Sequence, residues 1–312
     1  TCLGCHGMGG AQKIAMIGNI PVPQVLHTDS SGDLAGGNFA YITGGKTGYG
    51  SNPNRRGHNV IELGPAFKET EPSFATPPGF PHSLYGIDAR NYISCAGTFG
   101  CHGNNRYFNA PQGTAAIKGA HHNNLNGKID TNGTDAPPGH YYRFLQGVRG
   151  YEINDWQNLS SSHHNEYYGS TSAPAQYYPT CENCHPSSFG GGGVSAKFGT
   201  ISNFCATCHG KFHEQSNVGS SSPWLRHPTD VIIPAGGEFG NYTTYDVSVP
   251  VARTTVPNGP LSTVTPGQDV VMCLSCHYAH AGPYPSILRW NYAEVIAGGG
   301  ERKGCKVCHS QK

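Results

Sequence analysis

The sequence predicts a chain that is mostly irregular coil, with short helices at a repeated cysteine motif and a few short strands, the polypeptide wrapping closely packed groups that it binds. Three observations lead there. Glycine and proline, at 44 and 23 of 312 residues, interrupt regular structure throughout. Charged residues make up only 12%, yet no long apolar run is present from which side chains alone could build a large core. All 12 cysteines fall into pairs, and a histidine follows the second cysteine of every pair.

That last pattern fixes the chemistry. Cys2/Cys5/His6, Cys181/Cys184/His185, Cys205/Cys208/His209, Cys273/Cys276/His277 and Cys305/Cys308/His309 are C-x-x-C-H motifs, and Cys95/Cys101/His102 is a widened sixth. The spacing is the attachment signature of c-type haem: both thiols add to the porphyrin vinyl groups and the histidine becomes the proximal iron ligand. A disulfide framework would explain the cysteines but not the adjoining histidines. Zinc is the sharper rival, because Cys181/Cys184 and Cys205/Cys208 stand about a zinc ribbon apart, but zinc has no use for a histidine at every pair. Six haem c groups are therefore expected, supplying the buried apolar surface that the side chains lack, so the apoprotein should be unfolded.

Taken in order, the chain reads as one unit over 1–312, with two motifs in 1–175 and four in 176–312. Residues 1 to about 75 hold the first motif, a Gly-rich run from Gly32 to Ile42, and His58 between a glycine and Asn59, a candidate distal ligand. The glycines near Lys46 do not match a phosphate loop. In the widened motif, Gly97 and Gly100 would let the backbone loop out so that both thiols reach one porphyrin. Adjacent His121 and His122 could serve two neighbouring haems, or one could be a bystander. The alternating segment Asn241 to Val249 reads as a strand. Arg226, next to His227, could pair with a haem propionate. His213 and His280 follow proximal His209 and His277 by about one helical turn, so each could reach an adjacent haem but not its own.

Removing the six proximal histidines from 17 leaves eleven, enough for six distal ligands, whereas only three methionines are present. Bis-histidine iron throughout is the economical reading, and it leaves no open position for a substrate. The polypeptide carries a net charge of +1, and six haems would shift this by roughly minus six, which argues against a nucleic-acid partner. No apolar stretch of membrane-spanning length is visible. The first residue is Thr1 and the first haem cysteine follows it, so a mature chain with its secretion signal removed is expected.

The runs Gly37-Asn38-Phe39, Gly57-His58-Asn59-Val60, Cys95 to Gly103, Gly119-Ala120-His121-His122, Tyr142 to Leu145, His164 to Tyr168, Ser222 to Asp230 and Val271 to His280 resemble the multihaem c-type cytochromes with doubled C-x-x-C-H motifs of metal-reducing bacteria. The resemblance implies electron transfer at the outer cell surface or beyond, with the periplasm as the alternative. It implies distal ligands at His58, His121, His122, His164, His227 and His280, with His213 and His27 in reserve. It also implies self-association into a filament with haem contact across subunits, and exchange with redox partner proteins or extracellular acceptors. An electron carrier is expected rather than an enzyme. A soluble periplasmic shuttle is one alternative; a reductase of a small nitrogen or sulfur oxyanion is another, though no C-x-x-C-K motif occurs.

Overall fold

The computed structural model describes residues 2–80, 88–97, 99–102, 142, 145, 148–153, 155–170, 199–213, 227–295 and 301–311. The described residues are mostly coil, with short helical turns and short strands. Helix α1 (Leu3–His6) is a single turn without a buried residue. Strands β1 (Ile14–Ile17) and β2 (Ile20–Pro23) form an antiparallel hairpin with Ile17 opposite Ile20. Gly18 takes φ +61° in its two-residue turn, where an L side chain is disfavoured. Helix α2 (Ala40–Thr43) buries Ala40, Tyr41 and Ile42 and stops at left-handed Gly44.

Strands β3 (Ser94–Ala96) and β4 (Gly100–His102) pair in parallel across the widened motif. The largest sheet has five strands of two or three residues each: β5 (Gly150–Tyr151), β6 (Glu166–Tyr168), β7 (Val231–Ile232), β8 (Ala252–Arg253) and β9 (Val270–Val271), in the order β5-β6-β8-β9-β7. Only β6 and β8 run parallel within it. The sheet draws on segments 60 or more residues apart in the chain, so it ties the stretch around residue 160 to the one around residue 260. Helix α3 (Ile201–His213) is the longest among the described residues, and α4 (Cys305–Cys308) is again one turn.

The expected strand over Asn241 to Val249 does not form. Thr244 makes an isolated bridge to Thr263, flanked by the Tyr245 N–H bond to the Ser262 carbonyl and the Val264 N–H bond to the Thr243 carbonyl, and beyond it the segment turns on itself. The Asp246 carboxylate accepts the Ser248 N–H at 2.8 Å, and the buried Tyr242 hydroxyl donates to the Val249 carbonyl. These local bonds compete with a ladder and win.

Among the described residues, side-chain packing is divided among three apolar clusters. One joins Tyr142, Val148, Tyr167, Ala252, Val270, Met272 and Leu274. A second joins Tyr242, Tyr245, Val251, Trp290 and Val307, with Cys276 and Cys308 against its rim. The third, Phe39, Ile42, Val60 and Ala281, has Cys95 on its rim. Attachment cysteines thus border two of the three clusters, which is the arrangement of a sheath around groups it does not itself contain.

Candidate haem-binding sites

Five of the six motifs lie among the described residues; Cys181, Cys184 and His185 lie outside them. In four of the five, a helical turn carries the thiols. Cys5 lies in α1, with Cys2 at its cap; α3 carries Cys205 and Cys208; a 3-10 turn (Cys273–Ser275) carries Cys273; and α4 carries Cys305 and Cys308. Residues three apart on a turn share one face, so both thiols address one partner. His209 leaves helical geometry, at φ −117° and ψ 41°, directly after its cysteine. In the widened motif Gly97 takes φ +110°, and a Cβ on Gly100 would lie 2.3 Å from the Ala96 carbonyl carbon. Only glycine permits that close passage.

All ten described cysteines are free thiols. Among the described residues, no three His, Cys, Asp or Glu side chains converge as a metal cage. The Cys181/Cys184 half of the zinc alternative lies outside those residues.

Successive motifs touch through their thiols. A hydrogen bond from Cys95 holds Cys2 down at about 7, and the same bond with burial pushes Cys95 far up. Cys205 is raised by its bond to Cys273 and by burial, and it also feels Cys101. Burial pushes Cys276 up to about 12, with Cys305 and Cys308 close enough to add to the effect. Among the described motifs, these contacts join Cys2 to Cys95, Cys205 to Cys101 and Cys273, and Cys276 to Cys305 and Cys308. At the first contact the Cys95 N–H also donates to both Glu62 carboxylate oxygens, at 3.1 and 3.2 Å.

The histidines are arranged as facing rings. His58 and His209 have centroids 6.1 Å apart, His102 and His280 6.0 Å, and His227 and His309 6.1 Å. Two imidazoles bound to one metal through bonds of about 2 Å, each centroid about 1 Å behind its nitrogen, stand about 6 Å apart. Nδ1 donates to a backbone carbonyl in His6 (Pro23, 2.9 Å), His58 (Ala279, 2.8 Å), His209 (Pro78, 2.6 Å), His227 (Pro228, 2.8 Å) and His277 (Ser286, 2.8 Å). That bond fixes the tautomer and leaves the Nε2 lone pair for a metal. Burial lowers His58 and His277, takes His209 to about 4 and, with His102 nearby, His280 to about 3, so all four rings are neutral, the ligating form, near pH 7. Gly36 lies under the His280 ring, where a Cβ would be 2.9 Å from Nδ1. Free paired thiols and facing, backbone-anchored imidazoles together fit haem c.

Other candidates are placed differently. His164 is wholly buried with both ring nitrogens engaged, Nδ1 at 3.2 Å from the Ser160 carbonyl and Nε2 at 3.0 Å from Glu166 Oε1. It stacks on Tyr245 at 3.5 Å, and Glu166 also accepts from Arg253, which pairs with Asp269. At His164, expected as a distal ligand, both ring nitrogens are engaged by protein groups. His27 is also fully buried; its Nδ1 accepts the Asp29 N–H at 3.2 Å, and its Nε2 faces Asp33 at 3.7 Å. His121, His122, Arg226 and the side chain of His213 lie outside the described residues. Two residues beside the motifs gave no motif-level signal in the sequence: Glu62, and Arg289, whose Nε donates to the Leu274 and His277 carbonyls at 2.7 and 3.2 Å.

With this geometry in place, the class follows. Residues 265–312 match the family model described as the doubled CXXCH motif, the spacing at which haem c is attached. No curated protein matches the chain. Two solved structures match the chain. The outer membrane cytochrome S filament from Geobacter sulfurreducens is 14% identical, with a TM-score of 0.49 over 100% of this chain and 81% of that one. The cryo-EM structure of the OmcS nanowires from the same organism is 19% identical, with a TM-score of 0.47 over 99% and 81%.

Proposed function

We propose that the chain is a hexahaem electron carrier with bis-histidine iron at its sites. The observation that carries this reading is the set of three histidine ring pairs about 6 Å apart, each containing one motif histidine: His209 with His58, His102 with His280, and His309 with His227. Each pair would supply both histidine ligands of one haem iron. His6, His185 and His277 draw their partners from the remaining histidines, His121 and His122 foremost. Bound haem supplies a reversible one-electron iron couple. The polypeptide's part is to anchor the imidazoles of His6, His58, His209, His227 and His277 through Nδ1 and to hold attachment sites in contact, as Cys2 with Cys95 and Cys205 with Cys273.

The carrier acts outside the cytoplasm, where haem c is attached, and it assembles end to end into a filament. Support comes from the sequence resemblance and from the β1–β2 hairpin, which exposes Met16, Ile17 and Ile20 beside the first motif. Exposed apolar side chains grouped in this way mark an association surface. Among the described residues, no helix is long and apolar enough to cross a membrane.

The test is intact mass with a reduced haemochrome spectrum on the purified protein, together with electron paramagnetic resonance of the oxidised form. Six haems, all low-spin, are expected. Five haems, or a high-spin population that binds carbon monoxide on reduction, would contradict the assignment.

A further inference from the structure

Arg289 is fastened to the fifth motif. Its backbone N–H donates to the Cys276 carbonyl at 2.9 Å, and its Nε donates to the carbonyls of Leu274 and His277. The guanidinium lies over the Tyr278 ring, 4.4 Å from the centroid. The residue is only 7% exposed, no carboxylate pairs with it among the described residues, and its Nη1 has no hydrogen-bond partner. A buried cation with a free donor is costly and is met in proteins where an anion compensates it. Trp290, the next residue, repeats the pattern: it is 8% exposed and its indole N–H is also unpartnered. Its ring covers Gly304, the residue before Cys305, so closely that a Cβ there would lie 2.6 Å from Nε1. Two consecutive buried donors beside two attachment motifs point to an acceptor that the described residues do not supply.

We propose that Arg289 is the counter-cation of a propionate on the haem held by Cys273, Cys276 and His277. The inference rests on the haem reading above. A guanidinium whose Nε is already committed to the motif presents its outer N–H groups to a planar carboxylate, and a haem attached at this motif brings two. The pairing has an electrical consequence. The cation offsets a negative charge close to the iron, so it favours the reduced state and sets this haem above its potential without the pair.

The experiment compares the haem-loaded full chain with its Arg289→Gln and Arg289→Lys variants by spectropotentiometric titration, the haem number being fixed first by haemochrome. In Arg289→Gln, one transition should move to lower potential by the equivalent of about a tenfold change in the reduced-to-oxidised ratio, 59 mV for a one-electron couple, with the others unmoved. Arg289→Lys should restore most of the shift. A fully loaded Arg289→Gln protein with every transition unmoved overturns the proposal, as does a lysine variant shifted as far as the glutamine one. Should Arg289→Gln fail to load, a cryo-EM map of the parent decides: a propionate at Nη1 supports the pair, and water or a protein carbonyl alone there overturns it. A map with no haem at this motif would instead sink the haem reading.

Discussion

At the residue scale, a ligand is distinguished from a bystander by what its two ring nitrogens do. His58 gives Nδ1 to Ala279 and faces His209, whereas His164 has both nitrogens spent on Ser160 and Glu166. Replacing His58 or His280 by alanine should therefore convert one haem to high-spin, carbon-monoxide-binding iron, with the haem number unchanged. Replacing His164 by phenylalanine should leave every haem low-spin and instead lower stability by about 1–3 kcal/mol, because Glu166 loses a buried partner; thermal unfolding beside a low-temperature resonance spectrum separates the two outcomes. Acid should act through the same rings, because a proton competes with iron for the Nε2 lone pair, and a Soret-monitored acid titration should show progressive loss of the low-spin band as the rings protonate. The proximal histidines were legible because each adjoins a cysteine. His164 was not: its partner Glu166 is local, but Arg253, which completes the network, lies 87 residues away.

At the element scale, the short helices are a consequence of the motif: a C-x-x-C turn needs only one turn of helix to bring two thiols onto one face, and α1 and α4 are four residues long. The widened motif solves the same problem with a loop. Gly100 passes so close to Ala96 that Gly100→Ala should force the loop apart and selectively reduce loading at Cys95/Cys101, read as a protein one haem lighter by intact mass. Local chemistry of this kind can be read in sequence, as Gly97 and Gly100 were. Pairing between distant segments cannot: the two- and three-residue strands of the β5–β9 sheet show no alternation long enough to detect, and they exist because partners far along the chain complete them. The false strand at Asn241 to Val249 is the converse, an alternating pattern in which Asp246 and Tyr242 satisfy the backbone locally.

At the scale of the whole molecule, the haems are not equally placed to hold the fold together. The first motif sits on α1, which buries nothing, and its surroundings include the exposed hairpin. The fifth motif sits between two apolar clusters: Met272 and Leu274 belong to one, and Cys276 packs on the other beside Trp290 and Val307. Ordering a chain costs on the order of 1–2 kcal/mol per residue in backbone entropy, and a polypeptide with so much glycine and such small clusters offsets that only where bound groups add apolar contact. Deleting the haem that joins two clusters should thus loosen both, while deleting the terminal one should fray a single edge. Cys2→Ser/Cys5→Ser is expected to yield a protein lacking one haem, with near-parental thermal unfolding and protease resistance. Cys273→Ser/Cys276→Ser is expected to lose one haem and also become cleavable across residues 227–295, with a markedly lower unfolding temperature. Equal effects from the two double variants, measured by limited proteolysis and thermal melts at matched haem loading elsewhere, would show that the stabilising contribution is spread evenly along the haem chain rather than concentrated at this junction.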